Sequence, residues 1–360
     1  MKFPLLLTLL ILFSPSTQGA EPTPLADEPL LFTGETKATA TGQLLKIPTA
    51  APKLKSGDCS IEFELGKDYT WQEGTRVVTL TAESRIPFMT NAALHPAPNS
   101  PNSYKAQRDS DKWMFFGPGR VLHELQPTAT YSSTEDWAPP KIDAAIDEQL
   151  GSLRKQLRAK EALKVVMLGD SISTGLDASA GVDVAPRQPG YPTLVVNALE
   201  TTFGSKCTLI NLAKIGMDAA WGLNQVPAVL EAKPDLLLLA FGMNDASGRR
   251  KPEEFARITQ EIIKAVHAGQ PTCTVILISP MTANREWTGA TPELYPQYAT
   301  ALEKLAAPNV AVANVTATWT AIAERKRYLD LSGNGLNHPN DYGHRIYEDV
   351  ILRTIGQKAR

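Results

Sequence analysis

An α/β architecture with a parallel five-stranded sheet, preceded by a small β-rich region, is the fold this 360-residue sequence predicts. Five short apolar runs of strand length, at residues 164–168, 207–212, 236–240, 274–278 and 310–314, alternate with longer helical patterns. Regular alternation of this kind implies parallel strands with helices packed on both faces. By contrast, residues 25–137 are rich in Thr, Ser and Pro and carry only short alternating runs, which points to a separate β-rich unit.

The chain opens with Lys2, an apolar run over residues 3–13, then Ser14, Pro15 and small or polar residues to Ala20. The run is shorter than the ~20 residues a bilayer span needs. Residues 1–20 therefore read as a cleaved export signal, with a secreted or periplasmic product. No later segment is apolar enough over a sufficient length to cross a membrane.

Within residues 25–137, Ile61, Phe63 and Leu65 alternate with Glu62 and Glu64, as in a half-buried strand. Glu73-Gly74 signals a turn between this run and a second one at 75–81. Pro and Asn crowd residues 95–103, an irregular loop. Ala138-Pro139-Pro140 marks a boundary, placing the α/β unit at residues 141–360. Ile146, Leu150, Leu153 and Leu157 then fall at helical spacing. A further helix starts at Pro252, carries Glu253 and Glu254 in its first turn and Phe255, Ile258, Ile262 and Val266 on one face, and ends at Gly269.

Composition excludes some functions. Acidic and basic residues nearly cancel, at a formal charge of −2, with no long basic run to favour nucleic acid or an anionic membrane surface. Cys59, Cys207 and Cys273 are odd in number and lack metal-ligand spacing, so they read as thiols without a role. Ser152-Leu-Arg-Lys155 matches a penicillin-recognising signature without its companions. No Walker loop, zincin motif or dinucleotide fingerprint is present.

In an open parallel sheet, chemistry belongs at the carboxyl ends of the strands. The first strand ends in Gly169-Asp170-Ser171-Ile172-Ser173, where Ser171 is placed either as an exposed nucleophile or as a helix cap. Ser173 stands where an α/β-hydrolase elbow would need Gly, so that motif does not apply. After the second strand, Gly216 offers either a backbone N–H for an anion or a plain turn. After the third, Gly242-Met243-Asn244-Asp245 offers the Asn244 amide as a donor, or again a turn. Near the C-terminus, His338-Pro339 precedes a helix that Asn340 or Asp341 could cap. His267 falls in a helix's last turn and His344 within the final helix, both compatible with structural roles.

These four blocks, in this order and each at a strand end, resemble the SGNH (GDSL) hydrolase family over roughly residues 164–360. The resemblance implies a flavodoxin-like, three-layer arrangement and ester hydrolysis without a metal or organic cofactor. It assigns Ser171 as nucleophile, His338 as general base, and Ser171 N–H, Gly216 N–H and the Asn244 side chain as the oxyanion hole. One position departs from the pattern. The family's Asp three residues before the His is Gly335 here. Asn334 is the first choice to orient the imidazole, followed by Asp330 or a backbone carbonyl; Asn serves this purpose in Cys-His-Asn triads.

The expected substrate is a small ester or an acetylated polysaccharide, with carbohydrate O-acetyl groups favoured. Asp177, Arg187 and Tyr191 follow the first strand, and Arg285, Trp287 and Tyr295 follow the fourth, mixing aromatic faces with hydrogen-bonding groups that suit sugars. A lipase, lysophospholipase or thioesterase on the same site is the alternative, and a non-catalytic glycan-binding protein a further one. Oligomeric state has no signature in the sequence.

Overall fold

The computed structural model describes residues 22–105, 108 and 111–356. The segment read as an export signal lies outside the described residues.

Five parallel strands form the central sheet: β1 (Leu163–Gly169), β2 (Cys207–Asn211), β3 (Leu236–Ala240), β4 (Thr274–Ile278) and β5 (Val310–Ala313). Their order is β2-β1-β3-β4-β5, the flavodoxin-like arrangement. β3 and β4 are buried at every residue, because helices cover both faces and leave only apolar side chains tenable there. Helices Tyr191–Phe203 and Asp341–Ile355 pack together on one side, and Pro252–Gly269 packs with Leu294–Glu303 on the other. The helix expected from Pro252 to Gly269 forms over those residues and buries Phe255, Ile258, Ile262 and Val266. That expected around residues 146–157 covers Asp147–Arg158 with a kink at Gly151, whose φ is +44°; Ile146 is its exposed N-cap rather than part of the buried stripe.

The N-terminal region holds two larger, mainly antiparallel sheets around Leu30, Phe32, Leu54, Val78 and Leu80, and a two-stranded one pairing Ser103–Tyr104 with Met114–Phe115. Strand Thr128–Ser133 lies between Thr23–Pro29 and Lys53–Lys55 in the first sheet. One strand expectation is corrected. The turn at Gly74 joins Tyr69–Trp71 to Val77–Leu80, whereas only Glu62–Phe63 is extended in the earlier run, and it pairs in the other sheet. Phe63 is buried there, while Ile61 and Leu65 are 44% and 54% exposed, because a two-residue strand has only one inward position.

The two regions meet through buried polar contacts. Lys326 is fully buried, and its Nζ lies 2.7 Å from Glu28 Oε1 and donates to the carbonyls of Pro29 and Gln43. Asp330 accepts from the Leu31 N–H at 2.6 Å. Cys59, Cys207 and Cys273 are all free thiols.

Candidate active site

β1 delivers Ser171 two residues past its last residue, Gly169. Ser171 Oγ lies 2.9 Å from His338 Nε2. The serine is only 4% exposed, so it forms the floor of the site rather than an exposed knob. His338 reaches it from the loop before the final helix. That helix is capped by Asn340, whose side chain accepts from the Gly343 N–H, as the sequence suggested.

The far side of the imidazole corrects the expectation of Asn334 or Asp330. Asp177 Oδ2 lies 2.7 Å from His338 Nδ1, so the loop after β1 supplies the carboxylate. Asn334 is also close, with Nδ2 at 2.9 Å from Nδ1, but it presents the wrong atom. Its Oδ1 accepts the backbone N–H groups of Leu336, Asn337 and His338, at 2.8, 3.1 and 3.3 Å, which fixes the amide with its nitrogen toward the ring. An Nδ1–H can donate to a carboxylate and not to an amide nitrogen. Asp330 points away, accepting from the N–H groups of Leu31 and Arg327. An Asp at Gly335, the family's usual position, would be strained. Gly335 has φ +91°, and a Cβ there would stand 3.0 Å from the carbonyl oxygen of Phe115, in the N-terminal region.

Across the serine, the three expected donors come from three strand ends. Asn244 sits in the short helix Met243–Ser247 after β3, and its Nδ2 donates to the Met217 carbonyl at 2.8 Å. One amide hydrogen is thereby used to tie Asn244 to the loop of Gly216, and the second is left for a ligand. Gly216 has φ +78° and an exposed backbone. Among the described residues, neither the Ser171 nor the Gly216 N–H has a backbone or side-chain acceptor. All three donors can therefore serve a developing oxyanion.

Two buried carboxylates flank the site without touching the imidazole. Burial pushes Asp170 up to about 7, against the Ile172 N–H that favours its charge. Burial likewise raises Asp245 to about 6, although the Ala219 N–H and Arg250 oppose it.

The residues expected to line a substrate loop divide. Asp177 belongs to the imidazole, as above. Tyr295 is fully buried with its hydroxyl toward Met243, and Tyr191 is fully buried with its hydroxyl 2.7 Å from Ser173 Oγ. Neither can meet a substrate. Both are helix residues whose rings face the core. Trp287 is half-buried against the main core, Arg285 is exposed, and exposed Arg187 pairs with Asp183. No group of three or more His, Cys, Asp or Glu suited to a metal occurs among the described residues.

The family model described as GDSL-like Lipase/Acylhydrolase matches residues 167–346. No curated protein sequence matches the chain. Among solved structures, the chain is similar to a two-domain esterase active on acetylated mannans, at 23% identity and a TM-score of 0.47. That match covers 60% of this chain and 56% of the other. A variant of the acetyl xylan esterase Axe2 from Geobacillus stearothermophilus is 20% identical, with 56% and 99% covered and a TM-score of 0.45. The lipase/acylhydrolase from Enterococcus faecalis is 24% identical, with 54% and 95% covered and a TM-score of 0.41. Because the family model spans half the chain and takes in Ser171, Gly216, Asn244 and His338, the chain belongs to the GDSL-like lipase/acylhydrolase family.

Proposed function

We propose that the chain is an exported serine esterase that removes O-acetyl groups from carbohydrate, with residues 25–137 as an accessory unit. The observation that carries this reading is the hydrogen-bonded file from Ser171 through His338 to Asp177. Ser171 Oγ attacks the ester carbonyl carbon as its proton passes to His338 Nε2. Asp177 holds the Nδ1–H tautomer and stabilises the imidazolium that forms. Charge gathering on the carbonyl oxygen meets the N–H groups of Ser171 and Gly216 and the free amide hydrogen of Asn244. The tetrahedral intermediate collapses, and the leaving alcohol takes the proton from Nε2. Water then attacks the acyl-enzyme with His338 as base, and the acid departs.

The carbohydrate preference is supported by the rim. Asn337 directly precedes His338, and the segment after β4, tied to that loop by Asn284 through the Gly335 and Leu336 carbonyls, carries exposed Arg285 and half-buried Trp287. On the N-terminal side, Tyr104 and Phe116 form an edge-on pair with centroids 5.5 Å apart, one residue from Gly117, whose N–H donates to the Asn334 carbonyl. Mixed aromatic and polar walls suit a sugar better than an acyl chain. Export is supported by the pattern of residues 1–20. Purified protein should hydrolyse p-nitrophenyl acetate faster than butyrate and longer esters, and should release acetate from acetylated polysaccharide. A preference that rises with acyl length would replace this reading with that of a lipase or thioesterase.

A further inference from the structure

The acid of the proposed triad stands on a loop whose backbone is itself held from outside the α/β unit. Asp177 has φ +62°, a left-handed conformation uncommon for residues with a side chain, although Asp adopts it more readily than most. Two contacts from the N-terminal region hold it there. His123 Nε2 lies 3.0 Å from the Asp177 carbonyl oxygen and must carry its hydrogen there, since a carbonyl only accepts. The Gly119 N–H donates to Asp177 Oδ1 at 3.2 Å, leaving Oδ2 for the imidazole. The same segment grips the loop that carries His338. Gly117 N–H donates to the Asn334 carbonyl at 3.0 Å, and Gln126 Nε2 donates to the carbonyls of Leu329 and Ser332 at 2.6 and 2.9 Å. Gln126 Oε1 accepts from Asn340 at 3.0 Å.

From these contacts we infer that residues 117–126 form a clamp that completes the catalytic centre, with His123 as the positioning residue for Asp177. The inference rests on the proposed triad. Its logic is geometric. Asp177 and His338 lie 161 positions apart in sequence, and the clamp touches both loops that bring them together. Phe115, at the edge of this segment, crowds a side chain at Gly335, so the region that disfavours the family's usual acid position also supports its replacement. His123 is 7% exposed and borders a cleft of about 250 Å³, so shortening it opens onto that cleft rather than sealing a void in a core. Its loss should therefore act on the carbonyl of Asp177 more than on folding.

The test compares His123→Leu, which removes the donor, with His123→Gln, which keeps an N–H at similar reach. Both are assayed on p-nitrophenyl acetate, alone and combined with Asp177→Asn, with thermal unfolding of each. His123→Leu should lower kcat by roughly 10- to 100-fold at unchanged KM, the scale of a small misplacement of a catalytic group. His123→Gln should restore most of that loss. On the Asp177→Asn background His123→Leu should add less than about twofold, because partners in one unit are not additive. Wild-type kcat in folded His123→Leu, equal losses in the Leu and Gln variants, or full multiplication of the losses would each overturn the clamp. Should His123→Leu fail to fold, His123→Ala carries the same comparison with the same criteria. Failure of the triad reading is separate: it would appear as activity retained in Ser171→Ala or in Asp177→Asn, whereas failure of the clamp leaves both variants impaired.

Discussion

Each group around Ser171 has its own anchor, so single changes should separate their roles. Asp177 binds the imidazole directly at 2.7 Å, and Asp177→Asn should lower kcat by about 10⁴, the cost of holding the wrong tautomer in a serine triad. Asn334→Ala should act differently. Its Oδ1 gathers three backbone N–H groups of the His338 loop, so the loss should appear in stability first and cost activity far less than Asp177→Asn. Asn244→Ala should reduce kcat by roughly 10²–10³ with little change in KM, as for a donor used in the transition state. A rise in KM alone would assign Asn244 to substrate binding. Parallel steady-state assays of the three variants check all of this. The Ser171–His338 pair was legible through the resemblance carried by four ordered blocks, because strand-end position alone left each of Ser171, Gly216, Asn244 and His338 a capping or turn alternative. Asp177 was legible as a residue of the catalytic edge, but not as the partner of His338. Asp183 in the same loop is an equal candidate on spacing, and only the fold brings one of them to Nδ1.

Elements with a strong local signature were equally plain. Buried parallel strands read as unbroken apolar runs, and Pro252–Gly269 has its proline, its acidic first turn and its apolar stripe. In the N-terminal region, strands of two or three residues are too short for alternation to specify which side chains turn inward, which is why Ile61 and Leu65 misled. The final helix, Asp341–Ile355, carries a pH response. His344 is buried there, and its Nδ1 accepts the Tyr191 N–H at 3.2 Å, which suits the neutral ring. Burial lowers its pKa to about 3, from an ordinary value of 6.5. Between those values the unfolded chain binds the proton and the folded one does not. The contribution of His344 is therefore present above about pH 6.5 and is lost as pH falls toward 3. His344→Asn keeps an acceptor without that titration. Thermal unfolding from pH 7 to pH 4 should show the wild type losing Tm relative to the variant; a constant difference would contradict the assignment.

At the scale of the whole molecule, the N-terminal region and the α/β unit share a buried ionic seam. Glu28 Oε1 also accepts from the Leu45 N–H and Oε2 from Tyr131, so removing Lys326 leaves a fully buried, partly satisfied carboxylate. Lys326→Met should cost about 3–5 kcal/mol of stability, measured by denaturant unfolding. A loss below about 1 kcal/mol would mean that the seam is open to water. No helix among the described residues is long and apolar enough to cross a membrane. The central claim, a nucleophilic serine at the carboxyl edge of β1, is tested most directly by covalent labelling. A fluorophosphonate should modify the intact protein once, at Ser171, with loss of activity in proportion to labelling. Label on another residue, or full labelling with activity retained, would contradict it.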